Sequence, residues 1–373
     1  MSGVSRLAAI LRTIRDECQS LSITFYTGTV SAVEPRGRVT IRDVAAQAGV
    51  SVATVSKVIN GRYGVAAATN ARVQEVIDEL GYEASLVAQS LRNHRTNVIG
   101  ILVADIEPFS AELLKGAAEA IRGSGFELVV YSAGGLAREK DGWERRYLSR
   151  LSGTLIDGAV LVTPTVVEAR YRAPIVAVDP HTGPSDLPTI DSDNLHGGRL
   201  ATEHLLELGH RRIGLLAGRP DLESARLREA GYRAALADAG LPVDDALVVR
   251  GDFSPAVSRD AARSLLTLAD RPTAVFAAND WSAFALMEVA ADLGLQVPED
   301  VSVIGFDNIP ESALTHPALT TVHQPIQEMG RRAVELLVRL IDGGPDDDVA
   351  PARQTLPTSL VVRRSTGPVP EHR

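Results

Sequence analysis

Apolar residues recur at helical spacing in two short segments between Val39 and Asn60. Gly49 is placed to end the first helix, and Ser51 is placed to cap the second. A third amphipathic segment covers residues 70–80 and ends at Gly81. The inward positions are Ile41, Val44, Ala45 and Ala48 in the first segment, Val55, Val58 and Ile59 in the second, and Val73, Val76, Ile77 and Leu80 in the third. The pattern predicts a small bundle of three helices.

At residue 98 the pattern changes to short, β-branched apolar runs that alternate with helical stretches. The predicted strands are 98–106, 126–133, 156–164, 173–179, 212–218, 273–280 and 301–307, all buried on both faces, and the predicted helices include 113–121, 201–209, 230–240 and 282–294. This alternation predicts parallel sheets, and the length of the region predicts two doubly wound subdomains. Ligands of such sheets bind beyond the carboxyl ends of the strands. The polar residues expected there are Asp105, Asp179, Asn279, Asp280 and Asp307.

The second of the three N-terminal helices has the features of a DNA-reading helix. Its outer face carries Val52, Ala53, Thr54, Ser56 and Lys57. Residues 38–74 contain five basic residues and one acidic residue, whereas the whole chain has a formal net charge of −9. Such a local positive charge is what contact with DNA phosphates requires. The alternative interpretation is an ordinary helical hairpin on a globular surface.

Composition excludes several other classes of protein. The single cysteine, Cys18, excludes an internal disulfide framework and a cysteine-based zinc site and fits a reducing cytoplasm. We expect no secretory signal, because charged residues interrupt the only apolar stretch near the N-terminus, and we find no run of the ~18–20 apolar residues that span a bilayer. Metalloprotease, nucleophile-elbow and phosphate-loop motifs are also lacking. We therefore expect binding rather than catalysis, with no cofactor and no metal.

Several separated motifs resemble the lactose/galactose repressor family of bacterial transcription regulators. They are D-V-A-x-x-A-G-V-S-x-x-T-V-S-x-V-I-N at 43–60, G-Y at 81–82, A-x-x-L at 88–91, D-N-L-H-G-G at 193–198, S-A-R-L-R at 224–228, A-A-N-D at 277–280 and V-S-V-I-G-F-D at 301–307. The resemblance implies an all-α helix-turn-helix headpiece joined to an α/β periplasmic-binding-protein-like core of two doubly wound parallel-sheet subdomains. In that fold the chain crosses between subdomains three times, which we place near residues 192, 323 and 353.

The implied domain division has five parts: residues 1–37 as a non-family extension, 38–84 as the DNA-binding headpiece, 85–96 as hinge helix and linker, 97–365 as the effector-binding and dimerisation core, and 366–373 as a tail. We expect the extension to be a dispensable tail or the product of an upstream start codon; a partner-binding helix is the alternative. The segment Ser85 to Arg92 is too short to be a stable helix alone, and we expect it to fold on DNA.

The family resemblance also implies which residues contact DNA. Val52 and Ala53 occupy the base-selecting positions and would contact thymine methyl groups, while Lys57 would donate to guanine. Leu91 would enter a central base step of the minor groove, with Ala88 allowing two hinge helices to pair closely. The full set of expected DNA contacts is Thr40, Ser51, Val52, Ala53, Thr54, Ser56, Lys57, Asn60, Ala88 and Leu91. Ala66 departs from the family at the position where a serine usually caps the third helix.

For the cleft, the resemblance implies that Arg228 grips hydroxyl or carboxylate groups of an effector and that Asp307 binds sugar hydroxyls. Asp307 paired with an arginine is alternatively a structural ion pair, and Asp280 is as consistent with a helix cap as with a ligand. Phe253 matches a stacking position. The full set of expected effector contacts is Phe109, Asp179, Ser224, Arg228, Phe253, Asn279, Asp307 and Gln324.

The function that we expect is a cytoplasmic, nucleoid-associated repressor of a catabolic operon. As a homodimer it would bind a pseudo-palindromic double-stranded DNA operator, with a small effector, expected to be a sugar, in the core cleft. A solute-binding protein for transport is the main alternative because it shares the core fold. It would need a secretion signal and no helix-turn-helix. An enzyme built on the same sheets is a third interpretation, and nothing in the sequence supports it.

Overall fold

The computed structural model describes residues 39–59, 63–82, 95–134, 142–152, 155–165, 173–181, 187–343 and 353–369. The chain divides into two compact units, Met1–Ala84 and Ser85–Arg373. The predicted N-terminal extension, the hinge segment from Ser85 to Arg92, and the expected DNA contacts Asn60, Ala88 and Leu91 lie outside the described residues.

The first unit contains three helices, α1 Ile41–Ala48, α2 Val52–Ile59 and α3 Ala67–Leu80. Their buried side chains are Val44, Ala45, Ala48, Val55, Val58, Val73 and Val76, all of which the helical pattern places inward. Gly49 and Gly81 end α1 and α3 in the left-handed conformation, at φ 63° and 58°, which glycine adopts without steric cost. Ala66 precedes α3 and makes no side-chain capping bond, as the departure from the family pattern predicts.

The second unit contains two six-stranded sheets. The strands of the first sheet are β1 Val98–Val103, β2 Glu127–Ser132, β3 Gly158–Val162, β4 Ile175–Val178, β5 Thr189–Ser192 and β11 Arg353–Leu356, in the order β11-β5-β4-β3-β1-β2. Those of the second sheet are β6 Ile213–Ala217, β7 Val248–Arg250, β8 Ala274–Ala277, β9 Ser302–Asp307, β10 Thr320–His323 and β12 Ser359–Val361, in the order β12-β10-β9-β8-β6-β7. All pairs are parallel except β10 with β12, so the second sheet has an antiparallel edge.

Helices cover both faces of each sheet, which makes both subdomains doubly wound. The helices of this unit are α4 Pro108–Ala120, α5 Trp143–Leu151, α6 Asn194–Glu207, α7 Glu223–Asp238, α8 Pro255–Leu266, α9 Asp280–Asp292 and α10 Ile326–Asp342. In the first subdomain, α4 and α10 cover one face and α5 the other. In the second, α6 and α7 cover one face and α8 and α9 the other.

The structure differs from the predictions in three respects. Strands β5, β7, β10, β11 and β12 lie outside the seven predicted runs. Strand β2 was predicted to be buried on both faces, but it lies at the edge of the first sheet and leaves Val129 and Val130 exposed. The third crossing was predicted near residue 353, but β11 pairs with β5 as far as Leu356, so the chain crosses between Leu356 and Ser359. The other two crossings follow Ser192 and His323.

The segment from residue 366 was predicted to be a tail, and its first part is instead attached to the second subdomain. The ring of His210, which is fully buried, donates from Nε2 to the carbonyl of Gly367 at 3.0 Å. The backbone N–H of Val369 donates to the carbonyl of Leu208 at 3.1 Å. These bonds satisfy backbone groups that a free tail would leave to water.

Candidate nucleic-acid interface and ligand cleft

The outer face of α2 carries the expected base-reading residues in positions open to solvent. Val52, Ala53 and Lys57 are exposed, and Thr54 and Ser56 are half-buried. The Ser51 hydroxyl accepts a hydrogen bond from the backbone N–H of Thr54 at 3.1 Å, so Ser51 caps the helix as predicted. The hydroxyls of Ser51 and Thr54 are also 2.9 Å apart. The face of α2 opposite the bundle core is therefore exposed, with apolar residues at its start and Lys57 in its last turn.

Thr40 starts α1 and is held by a side-chain interaction with Asp43. The Asp43 carboxylate accepts from the Thr40 backbone N–H and from its hydroxyl, both at 2.7 Å. These two bonds lower the pKa of Asp43. The backbone N–H and the hydroxyl of Thr40 therefore both donate to Asp43 in this structure, and a DNA phosphate would have to compete with Asp43 for them.

In the second unit, polar residues at strand ends gather around the buried guanidinium of Arg228 on α7. Its Nε donates to Asn194 Oδ1 at 2.8 Å, and one terminal nitrogen donates to the Ala278 carbonyl at 2.6 Å. The other terminal nitrogen donates to Gln324 Oε1 at 3.2 Å. Asp307 lies 3.4 Å from the guanidinium. The predicted cluster of Arg228, Asp307 and Gln324 is therefore present, but most of the arginine's donors are taken by the protein itself.

Two close helix contacts fix the position of Arg228. A Cβ on Gly198 of α6 would lie 2.3 Å from the Arg228 carbonyl, and a Cβ on Gly231 of α7 would lie 2.3 Å from the Leu195 carbonyl. Only glycine allows α6 and α7 to approach this closely. The guanidinium then stacks over the Phe306 ring at 3.7 Å from the centroid, which combines cation–π attraction with burial.

Carboxylates outnumber the cation at this position. Burial raises the pKa of Asp307 to about 7, although Arg228 opposes the shift. Burial also raises the pKa of Asp179 to about 6, against the opposing effects of Arg228 and Ser224. Because burial disfavours the charged form and Arg228 offsets this effect only in part, both groups hold protons near neutral pH more readily than ordinary aspartates. Asp179, Ser224, Arg228 and Asp307 thus form one electrostatically coupled group.

Asn279 takes the helix-capping role that the sequence suggested for Asp280, and Asp280 takes neither of its suggested roles. Asn279 caps α9, since its Oδ1 accepts from the Ser282 backbone N–H at 2.9 Å. Asp280 is fully buried and accepts from the Ile309 backbone N–H at 2.9 Å and the Thr321 hydroxyl at 2.6 Å. Burial, followed by the neighbouring Asp307, raises the pKa of Asp280 well above its usual value. Asp280 is therefore neither a helix cap nor an open ligand group.

The two expected aromatic contacts lie in different subdomains. Phe253 is half-buried in the second subdomain, with its ring centroid 5.7 Å from the Arg228 guanidinium carbon. Its ring occupies the space above Gly218, where an added Cβ would lie 2.2 Å from the ring edge. Phe109, on the first turn of α4, packs half-buried against the core of the first subdomain. The structure therefore brings Phe253 to the Arg228 cluster and places Phe109 in the other subdomain.

Three residues of this cluster were not predicted as site residues. Asn194 accepts from Arg228, Phe306 lies under it, and Ser192 donates from its hydroxyl to Gln324 Oε1. Asn194 belongs to the D-N-L-H-G-G motif, so the family pattern points to this residue but not to its hydrogen bond with Arg228. The strand composition makes Phe306 look like an ordinary core residue.

Within the described ranges, no group of three or more His, Cys, Asp or Glu is arranged to hold a metal ion. No helix among the described residues is long and apolar enough to cross a membrane.

Family models match both parts of the chain. A model described as "Bacterial regulatory proteins, lacI family" matches residues 40–85, and one described as "Periplasmic binding protein-like domain" matches residues 202–366. The ribose operon repressor of Escherichia coli is 39% identical over 312 residues, which cover 81% of this chain and 93% of the relative. The transcriptional repressor PurR of Photobacterium profundum is 37% identical, over 81% of this chain and 92% of the relative.

Solved structures of transcriptional regulators also match this chain. The lac repressor dimer bound to operator and an anti-inducer matches with a TM-score of 0.76 and 30% identity, over 88% of this chain and 99% of that one. A complex of the transcriptional regulator CelR with cellobiose matches with a TM-score of 0.66 and 36% identity, over 88% and 100%. A regulator from Enterococcus faecium with bound ribose matches with a TM-score of 0.65 and 30% identity, over 73% and 99%.

These relatives are transcriptional regulators and not enzymes. The exposed reading face of α2, the two doubly wound subdomains and the extended matches agree in one conclusion: the chain belongs to the lacI family of bacterial regulatory proteins.

Proposed function

We propose that this protein is a cytoplasmic repressor of a catabolic operon that binds a pseudo-palindromic DNA operator as a homodimer. A neutral sugar, bound in the cleft between the two subdomains, changes its affinity for the operator. The observation that carries the effector half of this proposal is the cluster at Arg228, where acceptor carboxylates and one half-buried aromatic ring meet at the strand ends.

Sugar binding accounts for the chemistry of this cluster. Asp179 and Asp307 offer carboxylate oxygens that accept hydrogen bonds from hydroxyl groups. Phe253 offers a ring face against which the apolar face of a sugar stacks. The parallel strands end at the cleft, which is where ligands of such sheets bind. Solved relatives hold cellobiose and ribose, two neutral sugars of different size.

The balance of charge favours a neutral effector over an anionic one. Asp179, Asp280 and Asp307 are all buried beside a single buried arginine, and burial raises the pKa of each carboxyl group. An added phosphate or carboxylate would increase the repulsion in a site of low dielectric constant, where like charges interact strongly. A phosphorylated sugar is therefore expected to bind more weakly than its unphosphorylated form.

The DNA half of the proposal rests on α2. Lys57 is an exposed donor, and Val52 and Ala53 are exposed apolar residues near the start of the helix. Because the two apolar side chains cannot hydrogen-bond to base edges, they would discriminate by contact with thymine methyl groups. Thr54, Ser56 and Ser51 supply hydroxyl groups suited to phosphate contacts.

Exposed apolar side chains support a dimer. Trp281 on α9 is 37% exposed and packs edge-on against Phe284, with the ring centroids 5.8 Å apart. Val129 and Val130 are exposed on the edge strand β2. The solved lac repressor relative is a dimer on its operator. We expect light scattering at micromolar concentration to give a dimer and the Trp281→Arg variant to give a monomer. A stable tetramer of the unaltered chain would contradict the proposal.

The effector is tested by thermal unfolding of the full chain with ribose, cellobiose and ribose 5-phosphate. A ligand at a hundred times its Kd stabilises a protein by about 2.7 kcal/mol, which is readily detected. We expect at least one neutral sugar to stabilise the protein and ribose 5-phosphate to do so less than ribose. Stronger stabilisation by the phosphorylated sugar would refute the charge argument.

The operator is tested by selecting binding sequences from random duplex DNA. We expect an inverted repeat, and we expect Lys57→Ala to weaken binding to the selected sequence more than to scrambled DNA. Equal losses on the two DNAs would assign Lys57 to phosphate contact alone. Recovery of no preferred sequence would refute the proposed function.

A further inference from the structure

Polar bridges join the start of α7, in the second subdomain, to strands of the first subdomain. Arg353 on β11 is the centre of the first bridge. Its Nε donates to the carboxylate of Asp191 on β5, and its terminal nitrogen lies 3.3 Å from Glu223 Oε2, at the first residue of α7. Asp191 is 2% exposed, and its second oxygen has no hydrogen-bond partner among the described residues, so Arg353 supplies the main compensation for this buried charge.

A second bridge lies beside the first. Arg226 on α7 donates to the carbonyl of His181, which follows β4 in the first subdomain, at 3.0 Å. The His181 ring nitrogen Nδ1 lies 3.2 Å from the carboxylate of Asp221, in the loop before α7. Arg226 also donates to the Pro220 carbonyl of that loop at 2.8 Å, so the guanidinium connects both sides.

The bridges cross between bodies that otherwise have separate apolar cores. The cores of the first subdomain and those of the second share no buried residue among those described, and the chain passes between the subdomains at three short crossings. The side chains of Glu223 and Asp221 are 19% and 49% exposed. Arg353–Glu223 is a partly exposed ion pair, and such pairs contribute little individually and are broken at small cost. Burial lowers the pKa of His181, so its contact with Asp221 is a hydrogen bond to a carboxylate rather than an ion pair.

We propose that the Arg353–Glu223 and His181–Asp221 bridges, with Arg226, form a latch that holds the two subdomains in the bridged arrangement without any ligand. Each bridge has one partner in each subdomain, so separation of the subdomains breaks all of them. The latch thus sets the resting equilibrium between bridged and open arrangements. As a device of regulation, this inference rests on the proposed function.

The test measures the distance between the subdomains in the ligand-free, full-length protein. Spin labels on cysteines at Ser149 of α5 and Ala237 of α7, in a Cys18→Ser background, report one label in each subdomain, and both positions are exposed. Dilution with excess unlabelled chain removes distances between labels on two protomers. Glu223→Gln and Asp221→Asn remove one charge from each bridge and leave Asp191 paired with Arg353.

Each substitution is expected to raise the ratio of long-distance to short-distance populations roughly 1.4- to 5-fold, and the two together up to about 25-fold. High salt should also raise the ratio of long-distance to short-distance populations in the unaltered protein, because it screens the charged partners of the bridges. Glu229→Gln is the matched control, because Glu229 is also on α7, is similarly buried, and pairs with Arg233 and Arg250 inside the second subdomain. The control should leave the distances unchanged.

An unchanged distance distribution in the double variant would overturn the latch, and so would an equal change in the Glu229→Gln control. This measurement needs neither operator nor effector. If the variants change the distances as expected but no preferred DNA sequence is selected, the proposed function is refuted and the latch is not. If an operator is selected but the distances do not change, the latch is refuted and the proposed function is not.

Discussion

Replacement of Arg228 by methionine tests whether this residue is chiefly a ligand contact or chiefly a support of the cleft. Methionine keeps much of the apolar volume and removes the charge and every donor. In the structure the guanidinium is 4% exposed, donates to Asn194, Ala278 and Gln324, and lies beside Asp307. The sequence alone favours a variant that loses effector binding and is otherwise intact. The structure predicts that stability is lost as well.

The magnitude follows from what the variant leaves buried. Removal of one partner of a buried ion pair costs about 3–5 kcal/mol, because the remaining charge has no compensation. Asp307 limits this cost by taking up a proton, since burial already raises its pKa to about 7 and removal of Arg228 would raise that pKa further. The loss should therefore be greatest near pH 8 and smaller near pH 6, where Asp307 is protonated in both proteins.

Urea unfolding followed by tryptophan fluorescence measures this loss without interference from the headpiece. The two tryptophans of the chain, Trp143 and Trp281, lie in the first and second subdomains of the core. Arg233→Met is the control, because Arg233 is on the same helix and forms partly exposed ion pairs with Glu229 and Asp245, which contribute about 0–1 kcal/mol. A loss below about 1 kcal/mol for Arg228→Met at pH 8, or a loss equal to that of the control, would refute the reasoning.

Four further predictions concern the cleft and the parts of the chain outside the described residues. Because the folded-state pKa of Asp307 is raised from 3.8 to about 7, the stability that this group contributes should be lost as pH rises from 5 to 8, so the unfolding free energy of the unaltered protein should fall relative to that of Asp307→Asn over this range. Gly218→Ala should displace the Phe253 ring and weaken sugar binding at least tenfold, about 1.4 kcal/mol by calorimetry, and unchanged binding would remove the ring from the site. Leu91→Ala should weaken binding to a selected operator and spare scrambled DNA, as measured by titration. Deletion of residues 2–36 should change operator affinity by less than tenfold in the same assay.

Every predicted run contains a strand, whereas β5 and β10, which are buried but polar or threonine-rich, were missed. β1, β3, β6, β8 and β9 all lie within predicted runs, because β-branched and apolar residues on both faces are what a central parallel strand requires. The composition of β2 is similar, but its place at the sheet edge depends on which strands pair, and pairing is not encoded in one strand's pattern.

Two helices of the second subdomain begin well before the predicted helical stretches. α6 begins at Asn194, whereas the predicted stretch begins at residue 201, and α7 begins at Glu223 rather than 230. Glycine lowers helix propensity, so Gly198 weakens the local signal at the start of α6, whereas Gly231 lies in the middle of α7, inside the predicted stretch. In the fold both glycines are favourable because they let α6 and α7 approach closely, a tertiary effect that outweighs propensity.

The backbone at the cleft was also beyond prediction. Asp179, Phe253 and Asp307 have φ values of 48°, 57° and 108°, in a region that residues other than glycine seldom adopt. Each such conformation costs on the order of 1–3 kcal/mol and persists only when the surroundings impose it. Their identities gave no sign of this strain. Its concentration at the predicted ligand residues supports a cleft whose geometry is set before ligand arrives.

Arg228 and Asp307, the proposed effector contacts, are connected to the first subdomain through a short series of hydrogen bonds. Gln324 follows β10 at the second crossing, and its Oε1 accepts from Arg228 and from Ser192, the last residue of β5 in the first sheet. Its Nε2 lies 3.4 Å from Asp307. A ligand hydroxyl group that binds Asp307 would therefore compete with the contact between Asp307 and Gln324. Gln324 is in turn bonded to Ser192 of the first sheet. Since coupling between sites is reciprocal, any force that changes the Ser192–Gln324 contact must also change the affinity of Asp307 for that hydroxyl.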